Sequence, residues 1–452
     1  MPKVVIVGAG LAGSLLAIYL AKRGIQIEVF EARPDMRAGP AEGGRSINLA
    51  LSNRGIAALR AVGLDQKVLD DAVPMYGRMI HSIDGETKLL PYSGRPGDHI
   101  NSVSRVGLNI ALIEQAERYD TVQFVFNSRC SNFDIASGEI EFDSGRTIRG
   151  DTMIATDGAG SAVRRSMQDQ VSGFTTATAF LEHGYKELHI PPTSNGAFAM
   201  EPNALHIWPR KRFMMIALPN ADQSFTCTLF LARNSEAALD DPSFEALTNP
   251  ESLVELFERE FPDALGLMPT LSDDFFANPT GDLGVVTCWP WNVGGKALLL
   301  GDSAHAMVPF YGQGMNCAFE DVRVLDQLIA EYGDIWETIY NRYGESRKPN
   351  TDAIQIMAED NFREMRDSVS DPVFQRKREL EMRLEQEYPD YFSKYSLVTF
   401  REDIPYSVAK EKGEAQDRLL MEISSDGEEI DLTHPAKLFE RIRSLPMNRK
   451  NH

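Results

Sequence analysis

The stretch KVVIVGAGLAGSLLAIYLAKRGIQIEVFE, residues 3–31, decides the fold of the N-terminal part of the chain. Its first five residues form a β-branched apolar run that ends at a glycine, which is typical of a strand buried on both faces. The following residues, Leu11 to Lys22, predict a helix that stops at Gly24, and residues 26–30 predict a second strand. The stretch therefore predicts a βαβ unit and an α/β fold.

Three glycines lie between the first strand and the helix in the spacing Gly8-x-Gly10-x-x-Gly13. The first permits a tight turn, the second lets the backbone approach a pyrophosphate, and the third lets helix and strand pack closely. The helix N-terminus adds backbone N–H groups and the positive end of the helix dipole. Glu31, at the end of the second strand, can accept hydrogen bonds from a ribose diol. Together these features predict a Rossmann-like dinucleotide-binding domain.

Two later segments favour FAD over NAD as the dinucleotide. ATDGAGSAVRR (155–165) places Asp157 at a strand end, and LLLGDSAHAMVPFYGQGMN (298–316) places Asp302 at another. Asp302 can bind a ribityl or ribose hydroxyl, and the amides of residues 312–316 can face the pyrimidine side of an isoalloxazine. The helix that begins there would stabilise negative charge on a reduced flavin.

With these segments the chain resembles the class A flavoprotein hydroxylases, the family of p-hydroxybenzoate hydroxylase. GRSINLALSNRG (44–55), HGYKEL (183–188), EPNALHIWP (201–209) and KYSLVTF (394–400) narrow the resemblance to the branch that hydroxylates L-kynurenine. The resemblance extends over essentially the whole chain to about residue 420. It implies an FAD-dependent monooxygenase.

The chain is expected to have three parts. Short β-rich runs at 185–190, 204–208, 213–218 and 225–231 predict an antiparallel sheet inserted between pieces of the first domain. The expected division is a Rossmann-like FAD-binding domain of residues 1–74, 97–177 and 280–330, an inserted antiparallel β-sheet substrate domain of residues 75–96 and 178–279, and a C-terminal helical region of residues 331–452.

The resemblance also implies the reaction. NADPH would reduce a non-covalent FAD, and O2 would then form a flavin C4a-hydroperoxide that converts L-kynurenine to 3-hydroxykynurenine. Because the flavin carries the difficult chemistry, neither a catalytic side chain nor a metal is expected. His305 is expected to hold the flavin loop by hydrogen bonds rather than to act as a base, and the role of Tyr311 stays open.

The site residues follow from the motifs and the resemblance. The expected flavin contacts are Gly8, Gly10, Leu11, Ala12, Gly13, Glu31, Arg33, Arg45, Arg105, Asp157, Asp302, Gly312, Gly314, Met315 and Asn316. The expected substrate contacts are Arg78 and Tyr92 at the carboxylate, Asn361 and Tyr395 at the remaining polar groups, and Leu205, Met215, Ile216, Phe230, Pro309 and Phe310 around the ring.

The formal net charge of -20 argues against nucleic acid and anionic membranes as general partners. It also means that a carboxylate ligand needs a local arginine. The four cysteines are widely spaced, which argues against a zinc site and favours reduced thiols in an intracellular protein. The sequence shows no counterpart of the C-terminal anchor of eukaryotic relatives, so a bacterial, cytoplasmic form is expected. If the chain associates, a homodimer is the expected assembly.

Two alternatives stay open at this point. One is a class A hydroxylase for another anthranilate-like or phenolic acid, against which only Arg78, Tyr92, Asn361 and Tyr395 argue. The other is a prenyl-carrier protein of the GDP-dissociation-inhibitor type, which shares the fold but lacks the ribityl aspartate and the GQG helix start.

Overall fold

The computed structural model describes residues 2–39, 48–238, 241–365, 371–425 and 436–445. The strands are β1 (Lys3–Val7), β2 (Gln26–Phe30), β3 (Asn48–Leu51), β4 (Val73–Met75), β5 (Gly77–His81), β6 (Thr87–Pro91), β7 (Ile100–Ser104), β8 (Val122–Val125), β9 (Cys130–Asp134), β10 (Glu139–Phe142), β11 (Thr147–Ile148), β12 (Thr152–Ala155), β13 (Thr175–Ile190), β14 (Ala204–Arg210), β15 (Phe213–Pro219), β16 (Phe225–Ala232), β17 (Gly281–Trp289), β18 (Asn292–Val293) and β19 (Ala297–Leu299).

The helices complete the element list. They are α1 (Leu11–Lys22), α2 (Asn53–Ala61), α3 (Asp65–Asp70), α4 (Arg105–Ala116), α5 (Ala162–Gln170), α6 (Ser235–Ala238), α7 (Pro250–Glu260), α8 (Pro262–Leu265), α9 (Leu271–Ala277), α10 (Asp302–His305), α11 (Gly314–Tyr332), α12 (Trp336–Arg363), α13 (Pro372–Glu387), α14 (Lys394–Thr399), α15 (Tyr406–Ser425) and α16 (Ala436–Arg443), with a 3-10 turn at Pro309–Tyr311. Among the described helices, none is both long and apolar enough to cross a membrane. The predicted α/β class is confirmed.

The chain forms two compact units. Unit 1 comprises Met1–Asp71, Val103–Leu181 and Leu283–Ala358, and unit 2 comprises Ala72–Ser102, Glu182–Asp282 and Glu359–His452. The residues 331–452 are thus shared between the units, while the three-part division expected from the sequence stays a prediction.

Unit 1 contains the predicted nucleotide-binding sheet. Its strands lie in the order β18-β19-β12-β1-β2-β8, and all neighbours pair in parallel except β18 with β19. The core side chains of β1 and of the helix α1 that follows it are almost fully buried, as a strand covered on both faces requires. The bounds of β1, α1 and β2 coincide with the predicted ones.

Unit 2 contains a second sheet in which β13, β16, β15, β14, β5 and β6 lie side by side in that order. The sheet is antiparallel as predicted, with one exception. Strand β5, which comes from the early insertion, pairs in parallel with β14, with Arg78 opposite Leu205. A parallel pair arises here because the two strands are far apart in sequence and no hairpin joins them.

One face of this second sheet is covered by the helices α7, α8 and α9. Trp208, Met215 and Leu229 point from the sheet into a core that also contains Leu253 and Phe257 of α7. The C-terminal helices α13, α15 and α16 have a core of their own, built around Leu384, Tyr391 and Leu420, among others. Because side chains of a strand alternate, the opposite sheet face carries Arg78 and its neighbours.

Candidate active site

The dinucleotide motifs meet at one edge of the sheet in unit 1. Gly8 follows β1, Glu31 follows β2, Asp157 follows β12 and Asp302 follows β19. These four strands are consecutive neighbours in the sheet and run in parallel. Their carboxyl ends therefore form one edge, which is where ligands bind in open α/β sheets.

The glycine turn has the close approaches that the motif requires. Gly8 has a φ of +105°, and a Cβ there would lie 2.5 Å from the carbonyl oxygen of Thr156. A Cβ on Gly13 would collide with the carbonyl oxygen of Gly8, so helix and strand touch at this point. A Cβ on Gly10 would meet nothing within 4 Å. The space beside Gly10, at the N-terminus of α1, fits a pyrophosphate.

Glu31 anchors this turn. Its carboxylate accepts hydrogen bonds from the backbone N–H of Ala9 at 2.8 Å and from N and Nε of Arg33 at 2.9 and 2.8 Å. Burial opposes ionisation, but the hydrogen bonds from Arg33 and Ala9 hold the pKa of Glu31 below its usual value. Glu31 is therefore an ionised, buried acceptor at the strand end.

Ser303, which the sequence interpretation did not single out, joins the two aspartate motifs. Its hydroxyl donates to Oδ1 of Asp157 at 3.0 Å and accepts from the N–H of Gly158 at 3.1 Å. Its carbonyl oxygen accepts from Nη1 of Arg164 at 2.7 Å. The other oxygen of Asp157 accepts from the N–H of Ala162, the first residue of α5, at 2.8 Å. Each carboxylate oxygen of Asp157 thus accepts a hydrogen bond from another residue of the protein.

Asp302 differs from Asp157 in this respect. It is exposed, and its carboxylate has no hydrogen-bond partner among the described residues. The preceding Gly301 has a φ of +64°, a conformation that glycine adopts without strain. Asp302 is therefore available to bind a hydroxyl of a ligand at the sheet edge.

The turn before α11 is held by the side chain of Asn316. Its Nδ2 donates to the carbonyl oxygens of Ala50 and Gly312 at 2.8 Å each, and its Oδ1 accepts from the N–H of Ser52 at 2.9 Å. Gly312 has a φ of +66°, and α11 begins at Gly314. The first N–H groups of α11 have no partner within the helix and can face an anionic ring.

A buried charge network lies behind this turn. Arg54 pairs with Glu320 at 2.6 Å, Arg347 pairs with Glu320 and with Asp321, the latter at 2.6 Å, and His305 Nε2 lies 2.7 Å from Asp321. Burial opposes ionisation of Asp321, but His305 and Arg347 hold its pKa below its usual value. His305 therefore ties the loop after β19 to α11, the positional role that the sequence predicted.

His305, Cys317 and Asp321 place three candidate metal-ligand atoms within 4.8 Å of one another. A metal would require the Cys317 thiolate, but burial and the charge of Asp321 raise the pKa of that thiol well above its usual value. Arg347 already compensates the carboxylate of Asp321. This chemistry disfavours a bound cation, and we assign no metal to the group.

The remaining flavin-side candidates lie at the surface or at half-buried positions of unit 1. Arg33 and Arg105 are exposed, and Leu11, Ala12 and Met315 are half-buried. Two of the expected substrate contacts also belong to unit 1: Pro309 is exposed, and Phe310 is buried in the 3-10 turn. Arg45 lies outside the described residues.

The polar substrate candidates meet in unit 2. The rings of Tyr92 and Tyr395 stack with centroids 5.0 Å apart and 9° between their planes. The guanidinium carbon of Arg78 lies 5.9 Å from the centroid of Tyr92 and 5.2 Å from that of Tyr395, within cation–π range. Arg78 is on β5 and Tyr395 on α14, so the fold brings together residues that are far apart in sequence.

Two buried donors of this group have no partner among the described residues: Nε of Arg78 and the hydroxyl of Tyr92. Burial and the neighbouring Tyr395 raise the pKa of Tyr92 well above its usual value, against the effect of Arg78. Tyr92 is therefore a neutral phenol that can donate. An unsatisfied buried donor costs roughly 1–3 kcal/mol, which a bound carboxylate would recover.

Glu364 is an acidic partner that the sequence interpretation missed. Its Oε1 lies 3.6 Å from Nη1 of Arg78. Glu364 follows Asn361 by three residues, so it belongs to the same helical surface, and this spacing is the signal that could have found it. Asn361 itself is buried, and its Nδ2 lies 3.3 Å from Sδ of Met365.

The apolar candidates divide between the two faces of the second sheet. Met214 pairs with Phe230, and Ile216, two residues further along β15, shares their face. Met215 points the opposite way, into the core beneath α7. Because adjacent residues of a strand alternate between faces, Met215 and Ile216 do not line the same slot. Met214, and not Met215, shares the sheet face of Ile216 and Phe230.

Comparison with known proteins places these features in a family. A model of the FAD binding domain matches residues 1–355. The kynurenine 3-monooxygenase of Myxococcus xanthus (strain DK1622) is 45% identical over 457 aligned positions, which cover 99% of this chain and 97% of the relative. The enzyme of the same name from Dictyostelium discoideum is 44% identical, with 95% and 94% covered.

Solved structures share the fold at lower identity. A tetrameric form of 2-methyl-3-hydroxypyridine-5-carboxylic acid oxygenase has a TM-score of 0.65 at 22% identity, covering 82% of this chain and 94% of that chain. Pseudomonas aeruginosa PqsL in complex with 2-aminobenzoylacetate has a TM-score of 0.62 at 21% identity, covering 80% and 98%. At this identity the likeness shows the fold alone.

Proposed function

The chain belongs to the kynurenine 3-monooxygenase family of FAD-binding hydroxylases, and on that premise we propose that it converts L-kynurenine to 3-hydroxykynurenine with O2 and NADPH. FAD is its cofactor. The activity is that of a monooxygenase: one atom of O2 enters the ring carbon next to the aromatic amine, and the other leaves as water.

One observation carries the assignment of substrate class: Nε of Arg78 and the hydroxyl of Tyr92 are buried without a hydrogen-bond partner among the described residues, while Nη1 of the same arginine lies 3.6 Å from Oε1 of Glu364. A cationic fork and a phenol suit the α-carboxylate of an amino acid, since a buried carboxylate needs a charged donor. Glu364 would then meet the α-ammonium. The arrangement suits a zwitterion better than a simple aromatic acid.

The apolar side chains next to this group suit the aromatic part of the substrate. Ile216, Phe230 and Met214 share a sheet face, and Leu205 pairs with Arg78 on the neighbouring strand. The assignment of Pro309 and Phe310 to the ring stays a prediction. Such an apolar surface would exclude water from the reacting ring.

Bound FAD supplies electron transfer and oxygen activation. Residues of unit 1 would hold it: the N–H groups of α1 would meet the pyrophosphate, Glu31 the ribose and Asp302 the ribityl chain. The N-terminus of α11 would stabilise negative charge on the ring system. The substrate amine donates electron density to the carbon attacked, so no side chain has to ionise the substrate.

We place the protein in the cytoplasm. All four cysteines are buried free thiols, a state that a reducing compartment maintains, and NADPH is available there. A homodimer stays a prediction.

The assignment is tested by the substrate dependence of NADPH oxidation. Kynurenine should stimulate NADPH oxidation by the purified yellow protein, and 4-hydroxybenzoate should not. 4-Hydroxybenzoate has no ammonium group for Glu364 to meet. If it stimulated NADPH oxidation and kynurenine did not, the protein would be a class A hydroxylase for phenolic acids.

A further inference from the structure

A single buried carboxylate joins the two chain segments that carry the stacked tyrosines. Glu385 of α13 has a fully buried side chain. Its Oε2 accepts from the backbone N–H of Gly94 at 2.8 Å, and its Oε1 accepts from the backbone N–H of Ser393 at 2.9 Å. Gly94 lies two residues after Tyr92, and Ser393 lies two residues before Tyr395. Each oxygen thus holds one of the two segments.

The first segment fits closely against α13. A Cβ on Gly94 would collide with the carbonyl oxygen of Met382, one turn before Glu385. Nη2 of Arg378, also on α13, donates to the carbonyl oxygens of Pro91 and Tyr92 at 3.2 and 3.3 Å. Contacts with α13 therefore hold the backbone both before Tyr92, at Pro91, and after it, at Gly94.

The second segment is held in a comparable way. Ser393 is the N-cap of α14, and its hydroxyl accepts from the N–H of Ser396 at 3.3 Å. Arg95 donates to the carbonyl oxygen of Pro389 at 3.1 Å and also to that of Tyr391. Its Nη1 lies 3.5 Å from Oε1 of Glu385. The start of α14, and with it Tyr395, is thereby fixed relative to the Tyr92 segment.

We propose that Glu385 is a positioning residue for substrate recognition: it sets the spacing of the Tyr92–Tyr395 pair and so the place of the Arg78 guanidinium. The inference rests on the proposed function, because it concerns the same amino-acid site. Glu385 reaches the substrate through the tyrosines and not by contact. A glutamine at this position has only one acceptor oxygen. Its NH2 group would face one of the two backbone N–H donors, so the hydrogen bond to either Gly94 or Ser393 would be lost.

The first experiment measures ligand affinity in Glu385→Gln, with Glu387→Gln as the matched control. Glu387 is on the same helix but partly exposed, paired with Arg383 at 2.8 Å. Glu385→Gln should raise the Kd and KM of kynurenine at least tenfold, with kcat within about threefold and FAD content unchanged. The decarboxylated amine of kynurenine should lose less than threefold. Glu387→Gln should stay within twofold for both ligands.

A second pair of variants removes one link without touching the carboxylate. Ser393 has a φ of -61°, which proline adopts, so Ser393→Pro deletes its N–H donor. Ser393→Ala deletes the capping hydroxyl and keeps the N–H. Ser393→Pro should raise the kynurenine Kd at least fivefold over Ser393→Ala. This pair keeps the proposal testable if Glu385→Gln fails to fold.

Three outcomes would overturn the positioning role. They are an unchanged kynurenine Kd in Glu385→Gln, an equal loss for kynurenine and for its decarboxylated amine, and equal Kd values for the two Ser393 variants. Failure of the proposed function would look different, since the wild-type protein itself would then neither bind nor hydroxylate kynurenine.

Discussion

Nη1 of Arg78 lies 3.6 Å from Oε1 of Glu364, so the cation proposed for the substrate carboxylate already has an acid beside it. Both side chains are only partly exposed, at 12% and 24%. Arg78 offers a positive charge to the carboxylate of an α-amino acid, and Glu364 offers a negative charge to its ammonium group. An anionic ligand without an ammonium would bring a second negative charge next to Glu364.

Glu364→Gln should therefore weaken the preference for kynurenine over its des-amino analogue while the protein still folds. We expect the Kd of kynurenine to rise about tenfold, in line with the roughly 1.5–3 kcal/mol of a hydrogen bond to a charged group, taken at its lower end because Glu364 is partly exposed. The des-amino analogue should bind as well as before or better. The measurement is the ratio of the two Kd values. An unchanged ratio would mean that Glu364 does not meet the ammonium.

Arg78→Ala should weaken kynurenine binding by roughly 2–5 kcal/mol, the range for truncating one partner of a buried charge pair. Arg78→Lys should restore only part, because an ammonium cannot reproduce the planar two-pronged contact. FAD content should stay near that of the wild type, because Arg78 is not among the dinucleotide-binding motifs.

The control for Arg78 is the decarboxylated amine of kynurenine, titrated against the same variants. It should bind the wild type poorly and lose little further affinity in Arg78→Ala. An equal loss for both ligands would show that Arg78 supports the surrounding structure and that the carboxylate is held elsewhere.

Glu31→Ala should weaken FAD binding by roughly 1.5–3 kcal/mol. Part of the loss comes from the glycine turn, because Glu31 also accepts from the N–H of Ala9. Glu31→Gln retains an acceptor oxygen and should lose less. Fluorescence titration of the apoprotein with FAD gives both affinities. Equal FAD affinity in the wild type and Glu31→Ala would contradict the ribose assignment.

A buried histidine pair in unit 2 makes stability depend on pH. Nε2 of His206 donates to the carbonyl oxygen of Glu201 at 2.8 Å, so its Nδ1 carries no proton and accepts from Nε2 of His81 at 2.8 Å. Nδ1 of His81 lies 2.6 Å from Asp263, to which Trp208 also donates. Burial, with a smaller contribution from His81, lowers the pKa of His206 to about 4, against the raising effects of the Glu201 carbonyl and of Asp263.

The lowered pKa of His206 links the free energy of unfolding to pH. Between pH 6.5, the ordinary value for histidine, and pH 4, the unfolded chain binds the His206 proton and the folded chain does not. The free energy of unfolding should therefore fall as the pH drops through this window, by about 3 kcal/mol at most. His206→Asn should flatten that slope, and His99→Asn, which leaves His206 in place, should keep it. Urea unfolding at several pH values measures this dependence. If His206→Asn left the slope unchanged, His206 would not be its cause.

Much of the fold was predictable because its signals are local. The β1–α1–β2 unit is encoded by one apolar run, three glycines and an acid within residues 3–31, and its bounds match. What the sequence did not reveal depends on contacts between distant segments. Ser303 bridges two motifs, and Glu385 links segments nearly three hundred residues apart along the chain.

The assignment of Met215 to the substrate slot shows another limit. β15 is apolar on both faces, so its composition does not say which side faces the substrate. The register with β14 and β16 shows which residues share the face of Arg78, and only the assembled sheet provides that register.

The central claim, that this chain hydroxylates kynurenine with oxygen from O2, is tested most directly by product analysis. The purified protein is incubated with kynurenine, NADPH and 18O2, and the product is identified by mass spectrometry. We expect 3-hydroxykynurenine that carries one 18O atom in its new hydroxyl group. NADPH consumption with only hydrogen peroxide formed, or a hydroxylated product labelled from water, would contradict it.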